Sequence, residues 1–242
     1  MPHVRPKTGQ DMRRSICSRT IVAFLSHVLV SLLVVLCAQV EAQNLVVSGA
    51  TFLDGDTFVY NRASKVRLAG IDTPEIGHDG APDQYYAEAS RKIAAEIAGK
   101  ATLVLVPVGA GKDRHGRGLC DVRLPDGRSL NEVLVEKGAA YVYYHDDVPQ
   151  ALQARLLAAQ RRAMDARAGF WKVVLESFPA GEYVGNRNSH RFFSPGCAEG
   201  RRVASRNRVY FSTAEDAFRA GFSPARPCNI WPAVRNVRTG GV

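Results

Sequence analysis

The sequence predicts an α+β fold: a small barrel of five strands with three helices, followed by a smaller α+β module. Three observations carry this. Five short apolar or period-two runs come first: "LVVSGATF", "TFVYN", "KVRLAGI", "ATLVLVPV" and "GLCDVRL". One helical pattern interrupts them and two more follow. A break rich in Pro, Gly, Ser and Asn then precedes a second patterned region. Strands first, with helices segregated rather than alternating, favour α+β over a parallel α/β sheet.

The chain has 242 residues, 46% hydrophobic and 23% charged, which suits packed cores and excludes a disordered polyelectrolyte. Residues 1–42 read as a signal peptide. "MRRSICSRT" from Met12 is basic, Ile21 to Val40 is an apolar run, and Val40-Glu41-Ala42 is a small-residue cleavage pattern. Export to the periplasm or medium is therefore expected, with a membrane as partner only if this segment stays uncleaved. Removing its five basic and two acidic residues takes the net charge from +9 to about +6. A basic protein suits a nucleic acid or an anionic membrane. Cys17 and Cys37 leave with the signal. Cys120, Cys197 and Cys228 remain in an oxidising compartment, where one disulfide and one buried thiol is the simplest arithmetic.

The first helix is expected from about Asp83 to Ala98, with Tyr86, Ala89, Ile93 and Ile97 as its apolar stripe and Gly99 as its stop. The second is short; Ser129 and Glu132 form a capping box and Gly138 ends it. The third starts at Asp147-Val148-Pro149 and buries Leu152, Leu156, Ala159, Ala163 and Ala166. Arg155, Arg161, Arg162 and Arg167 fall on its solvated face. Domain boundaries follow: 43–174 for the barrel domain, 175–182 as linker, 183–231 as the second module and 232–242 as a flexible tail. The module has one clear helix, "TAEDAFRAG", capped by Ser212 or Thr213. A five-stranded, partly open barrel is the OB-fold, which commonly binds oligonucleotides.

The chemistry gathers in the barrel. "LDGDT" (53–57) and "VRLAGIDTPE" (66–75) bring Asp54, Asp56, Asp72 and Glu75 around Arg67. Carboxylates repel one another unless something cationic joins them. Asp56 and Asp72 are hard oxygen ligands suited to Ca²⁺ or, in a tighter site, Mg²⁺. Neither run contains His or Cys, which argues against zinc. Glu75, fixed behind Pro74, is placed to orient or deprotonate a water. Arg67 serves either as a structural ion pair or as a bidentate phosphate clamp. "GKDRHGRG" (111–118) adds Lys112, Arg114 and Arg117 on a glycine-flanked loop. A metal, a carboxylate base and two arginines suit phosphodiester hydrolysis.

Together, "LDGDT", "VRLAGIDTPE", "DRHGRGL" and "LNEVLVEKGAAYVYY" resemble the staphylococcal nuclease-like (thermonuclease) family over about Leu45 to Trp171. The resemblance implies an OB-fold barrel with three helices and a Ca²⁺-dependent endonuclease acting on DNA and RNA, with no stable protein partner. It implies Asp56, Asp72 and the Thr73 carbonyl as calcium ligands, Arg67 and Arg117 as catalytic phosphate-binding arginines, and Glu75 as general base or water-positioner. Arg114, His115 and Tyr144 are the implied substrate contacts; His115 stands where the family's basic loop usually carries Tyr. The alternative is a non-catalytic nucleic-acid-binding OB module, which would not need metal ligands, base and both arginines together.

The second module resembles the small Ada-type metal-binding domain, but Phe193 and Ala225 stand at two of its ligand positions. Two thiols do not close a tetrahedral zinc site. No structural zinc is expected; a Cys197–Cys228 disulfide would staple the same ends. The module's arginines, among them Arg187, Arg191 and Arg208, suit either extra nucleic-acid contact or a basic, soluble appendage.

Overall fold

The first apolar run folds as two strands rather than one. Val47 points inward from β1 (Leu45–Val47) and Phe52 from β2 (Thr51–Phe52). Between them Gly49 has φ 72°, a left-handed conformation that breaks the strand. This computed structural model describes residues 44–228 and 230–233; the expected signal peptide lies outside the described residues. Among them, no helix is long and apolar enough to cross a membrane.

The antiparallel strands β3 (Thr57–Tyr60) and β4 (Ser64–Leu68) follow, then the short β5 (Ile71–Asp72). Gly70, at φ 75°, separates β4 from β5, and a Cβ there would stand 2.7 Å from Leu156 Cδ1. β6 (Leu103–Lys112) and β7 (Gly118–Arg123) form a hairpin. The sheet runs β1-β6-β7-β4-β3-β2 and curls into a half-barrel, with β4 parallel to β7. β8 (Tyr141–Val142), absent from the sequence reading, pairs antiparallel with β5 so that Asp72 faces Tyr141. The buried apolar residues of the six-stranded sheet belong to one cluster, among them Phe58, Val66, Leu68, Leu103 and Val122.

The first helix, α1 (Ala87–Ala98), starts later than expected. Asp83 does not begin it, because its carboxylate accepts from Gly77 N at 2.8 Å. Tyr86 sits before the helix at φ 75°. The buried face is also displaced from the expected stripe: Ala87, Ser90, Ala94 and Ala98 go inward, while Ile93 and Ile97 pack at the flanks. Small residues bring the helix close to the barrel, and Ser90 Oγ donates to Ala139 O at 2.7 Å. α2 (Leu130–Glu136) is capped by Ser129, whose Oγ accepts from Glu132 N. α3 (Gln150–Asp165) begins after Pro149 with no side-chain cap, since Asp147 stands outside it. Its Leu152, Leu156, Ala159 and Ala163 are buried. Its arginines are not merely solvated: Arg155 pairs with Asp121 and Glu132, Arg162 with Glu136, and Arg167, just beyond the helix, with Glu215.

The expected linker at 175–182 begins as helix. α4 (Trp171–Ser177) runs into it, and Phe178 stacks at 5.8 Å on Phe218. Beyond it, β9 (Tyr183–Asn186), β10 (Arg191–Phe193), β11 (Arg208–Phe211) and β12 (Ser223–Pro224) form a second sheet in the order β11-β9-β10-β12. Two helices accompany it, α5 (Ala198–Arg201) and α6 (Ala214–Arg219); Thr213 and Asp216 make a reciprocal capping box for α6. Cys197 and Cys228 are joined by a disulfide, and Cys120 is buried and free. The expected tail starts as ordered chain: Tyr85 N donates to Pro232 O at 2.6 Å, and Ala233 bridges to Gln84. The remaining tail lies outside the described residues.

The two parts share an aromatic core. Tyr141, Met164, Phe170, Trp171 and Val174 from the first part pack with Tyr183, Phe192, Phe218, Phe222 and Trp231 from the second. Buried Gln160 ties them further, accepting from Val142 N and donating to Phe218 O, both at 2.7 Å.

Candidate active site

The carboxylates are placed by turns and strand ends. Asp54 Oδ1 accepts from Asp56 N at 2.9 Å and Thr57 N at 2.6 Å. It closes the turn before β3 and lines the same cavity, where its charge adds to the upward shift of the Asp56 pKa. Asp56 thereby points inward, where its Oδ2 accepts from Thr73 N at 3.0 Å and Thr73 Oγ1 at 3.2 Å. Asp72 ends β5, and its Oδ2 accepts from Tyr141 OH at 3.1 Å.

Arg67 projects from β4 between them. Its guanidinium ion-pairs with Asp56 through Nη1 and with Asp72 through Nη2, the latter at 2.6 Å. Of the two roles the sequence leaves open for Arg67, the ion pair is the one formed here. Arg67 does not stand free for a phosphate; it holds the two carboxylates together. Burial pushes both Asp56 and Asp72 above the ordinary carboxylate range, with Arg67 opposing the shift. Burial works against the Arg67 charge too, but the two aspartates outweigh it and hold the guanidinium ionised. Glu75 is half exposed, and its pKa is raised by burial first, then by Asp72 and Asp56.

The hairpin loop between β6 and β7 brings Arg117 to the same place. Asp113 organises that loop, accepting from His115 N at 2.8 Å, Arg117 N at 3.0 Å and Arg117 Nε at 2.7 Å. Arg117 Nη1 then reaches Thr57 Oγ1 at 3.3 Å, beside Asp56. Arg114 donates to His115 Nε2, and both lie at the rim. A cavity of about 650 Å³ is lined by Asp56, Arg67, Asp72, Glu75, Arg117 and Tyr143, among others. Two converging buried carboxylates, a flanking carboxylate and two arginines suit binding and hydrolysis of an anionic ester.

Comparison with known proteins agrees with this geometry. Residues 65–173 match the family model described as staphylococcal nuclease homologue. An uncharacterized endonuclease of Escherichia coli O157:H7 is 31% identical over 140 residues, 57% of this chain and 80% of that protein. The chain belongs to the staphylococcal nuclease homologue family.

Other relatives of the nuclease family reach different lengths of the chain. The thermonuclease of Staphylococcus hyicus is 28% identical over 123 residues, 49% of this chain and 71% of its own length. The endonuclease YhcR of Bacillus subtilis (strain 168) is 26% identical over 198 residues, 70% of this chain but 16% of its own.

Asp56, Arg67, Asp72, Glu75, Arg114, His115 and Arg117 line one cavity, and Thr73 bonds to Asp56 beside it. Tyr144 does not line it. Its ring stacks on His190, centroids 3.8 Å apart, and its carbonyl accepts from Arg191 Nη2. Tyr143 lines the cavity instead, with the Arg191 guanidinium 3.5 Å from its ring centroid. Strand alternation was the available signal: Tyr141 and Tyr143 share a face after β8, and Tyr144 falls on the other. The sequence reading also missed Tyr141 and Arg226. Tyr141 is buried against Asp72. Arg226 Nη2 lies 3.3 Å from Glu75 Oε1, 151 residues away in sequence, so no local pattern could mark it.

Proposed function

We propose that this nuclease is an exported, Ca²⁺-dependent endonuclease that hydrolyses phosphodiester bonds of DNA and RNA. The observation that carries the reading is the convergence of Asp56, Asp72 and Arg67 in one cavity with Glu75 and Arg117. The donors fit a hard cation. Asp56 and Asp72 are buried oxygen ligands that converge on the Arg67 guanidinium, and calcium takes such oxygens readily. Asp56, Asp72 and the Thr73 carbonyl would hold the ion, which supplies charge to the phosphoryl oxygens and acidity to a bound water.

The chain's own groups do the rest. With the ion on the two aspartates, the Arg67 guanidinium would be released to the phosphate, and with Arg117 it would bind the phosphate oxygens as negative charge builds on them. Burial raises the Glu75 pKa, which strengthens it as acceptor for the water proton. Tyr143 offers a ring to the substrate from the cavity wall. Export is supported by the N-terminal apolar run and by the Cys197–Cys228 disulfide, which suits an oxidising compartment.

The test is cleavage of single-stranded DNA and of RNA in Ca²⁺ and in chelator. Cleavage should stop in chelator. Glu75→Gln and Arg117→Ala should each slow it by about 10²–10³-fold while the melting temperature stays put. Binding without cleavage by the unaltered protein would favour the non-catalytic OB module.

A further inference from the structure

Arg226 belongs to the C-terminal module, outside the residues 65–173 that match the nuclease family model, yet it lies at the edge of the active-site cavity. Its backbone is firmly held. β12 pairs in parallel with β10, Ala225 N donates to Phe192 O at 2.8 Å, and Cys228, two residues on, is tied to Cys197. From this stapled turn the side chain reaches out, 71% exposed, to Glu75. An ion pair so exposed is weak and is screened by salt, so a phosphate can take Glu75's place at little cost.

Beyond Arg226 lies a second cavity of about 480 Å³. Ile76, His78, Pro82, Tyr141 and Trp231 are among its walls. It meets the active-site cavity at Asp72, Glu75, Tyr143 and Arg226. Aromatic and apolar walls suit a base; a guanidinium at the mouth suits the phosphate joined to it.

The geometry points to a nucleotide subsite formed between the two parts of the chain. The second cavity takes the nucleotide adjoining the scissile phosphate on the Glu75 side, and Arg226 binds the next phosphate of the same strand. On substrate binding Arg226 exchanges Glu75 for that phosphate, which frees the Glu75 carboxylate for water. This subsite rests on the nuclease reading and adds to it a role for the C-terminal module.

The experiment is equilibrium binding, by fluorescence anisotropy, of a labelled phosphorothioate-linked octathymidylate in Ca²⁺ over a salt series. A labelled dinucleotide, which carries one internucleotide phosphate and lacks the next one, serves beside it. For the octamer, Arg226→Ala should weaken binding about tenfold. It should also flatten the log–log salt slope by about 0.7, the share of one phosphate contact on a single strand. Arg226→Lys should keep the slope, and the dinucleotide should bind all three proteins alike. If Arg226→Ala binds the octamer as the unaltered protein does while Arg117→Ala binds it weakly, the subsite is overturned and the nuclease reading stands. If the unaltered protein binds no strand at any salt, both fall.

Discussion

Arg67 holds Asp56 and Asp72 with a single guanidinium, so one side chain balances both proposed metal ligands. This joins the stability of the site to its occupancy. In chelator, Arg67→Ala leaves two buried carboxylates facing each other without the guanidinium that pairs with both. Urea unfolding should then show a loss of about 3–5 kcal/mol at neutral pH, the cost of stranding a buried charge. Calcium should restore much of that loss, because it binds only the folded site. A loss that calcium leaves unchanged would separate the two aspartates from metal binding.

Gln160 joins the barrel to the C-terminal module by two hydrogen bonds of 2.7 Å, to Val142 N and Phe218 O. Gln160→Met keeps the volume and leaves both backbone groups buried and unpaired. We expect a loss of about 2–4 kcal/mol in denaturant unfolding. The transition should remain single, because the aromatic core is shared by both parts.

The Cys197–Cys228 disulfide closes a loop of sequence separation 31. Chain entropy gives such a loop about 3–4 kcal/mol of stabilisation. Reduction, or Cys228→Ser, should lower stability by about that much in urea. A shift below about 1 kcal/mol would show that hydrogen bonds already hold the turn at Arg226.

His190 stacks on Tyr144 and contacts Phe222. Burial lowers its pKa below the ordinary 6.5, as does Arg191, while Asp146 opposes them. The folded protein thus favours neutral imidazole. The stability this gives is fully present above the ordinary pKa and is lost as pH falls through the lower, folded-state value. Melting temperature should therefore drop across that acidic range. His190→Phe, which keeps the stack and removes the charge, should drop less there.

Local pattern carried much of the fold. Period-two apolar runs marked the barrel strands, and a glycine and a capping box marked helix ends. Contacts between distant segments set the rest. Asp83 is committed to the loop after Glu75, which delays the start of α1, and Phe178 is drawn into the aromatic core, which leaves little of the expected linker.

The same division holds in the site. Asp56, Asp72, Thr73, Glu75, Arg67 and Arg117 were legible because short motifs place each on a turn, strand end or hairpin. Tyr143 was legible in principle, since strand alternation separates it from Tyr144. What Arg67 pairs with, and that Arg226 reaches Glu75, only the tertiary structure decided. Residue type and spacing state what a side chain can do. Its partner depends on which surfaces the shared core brings together, and that is a property of the whole packed chain.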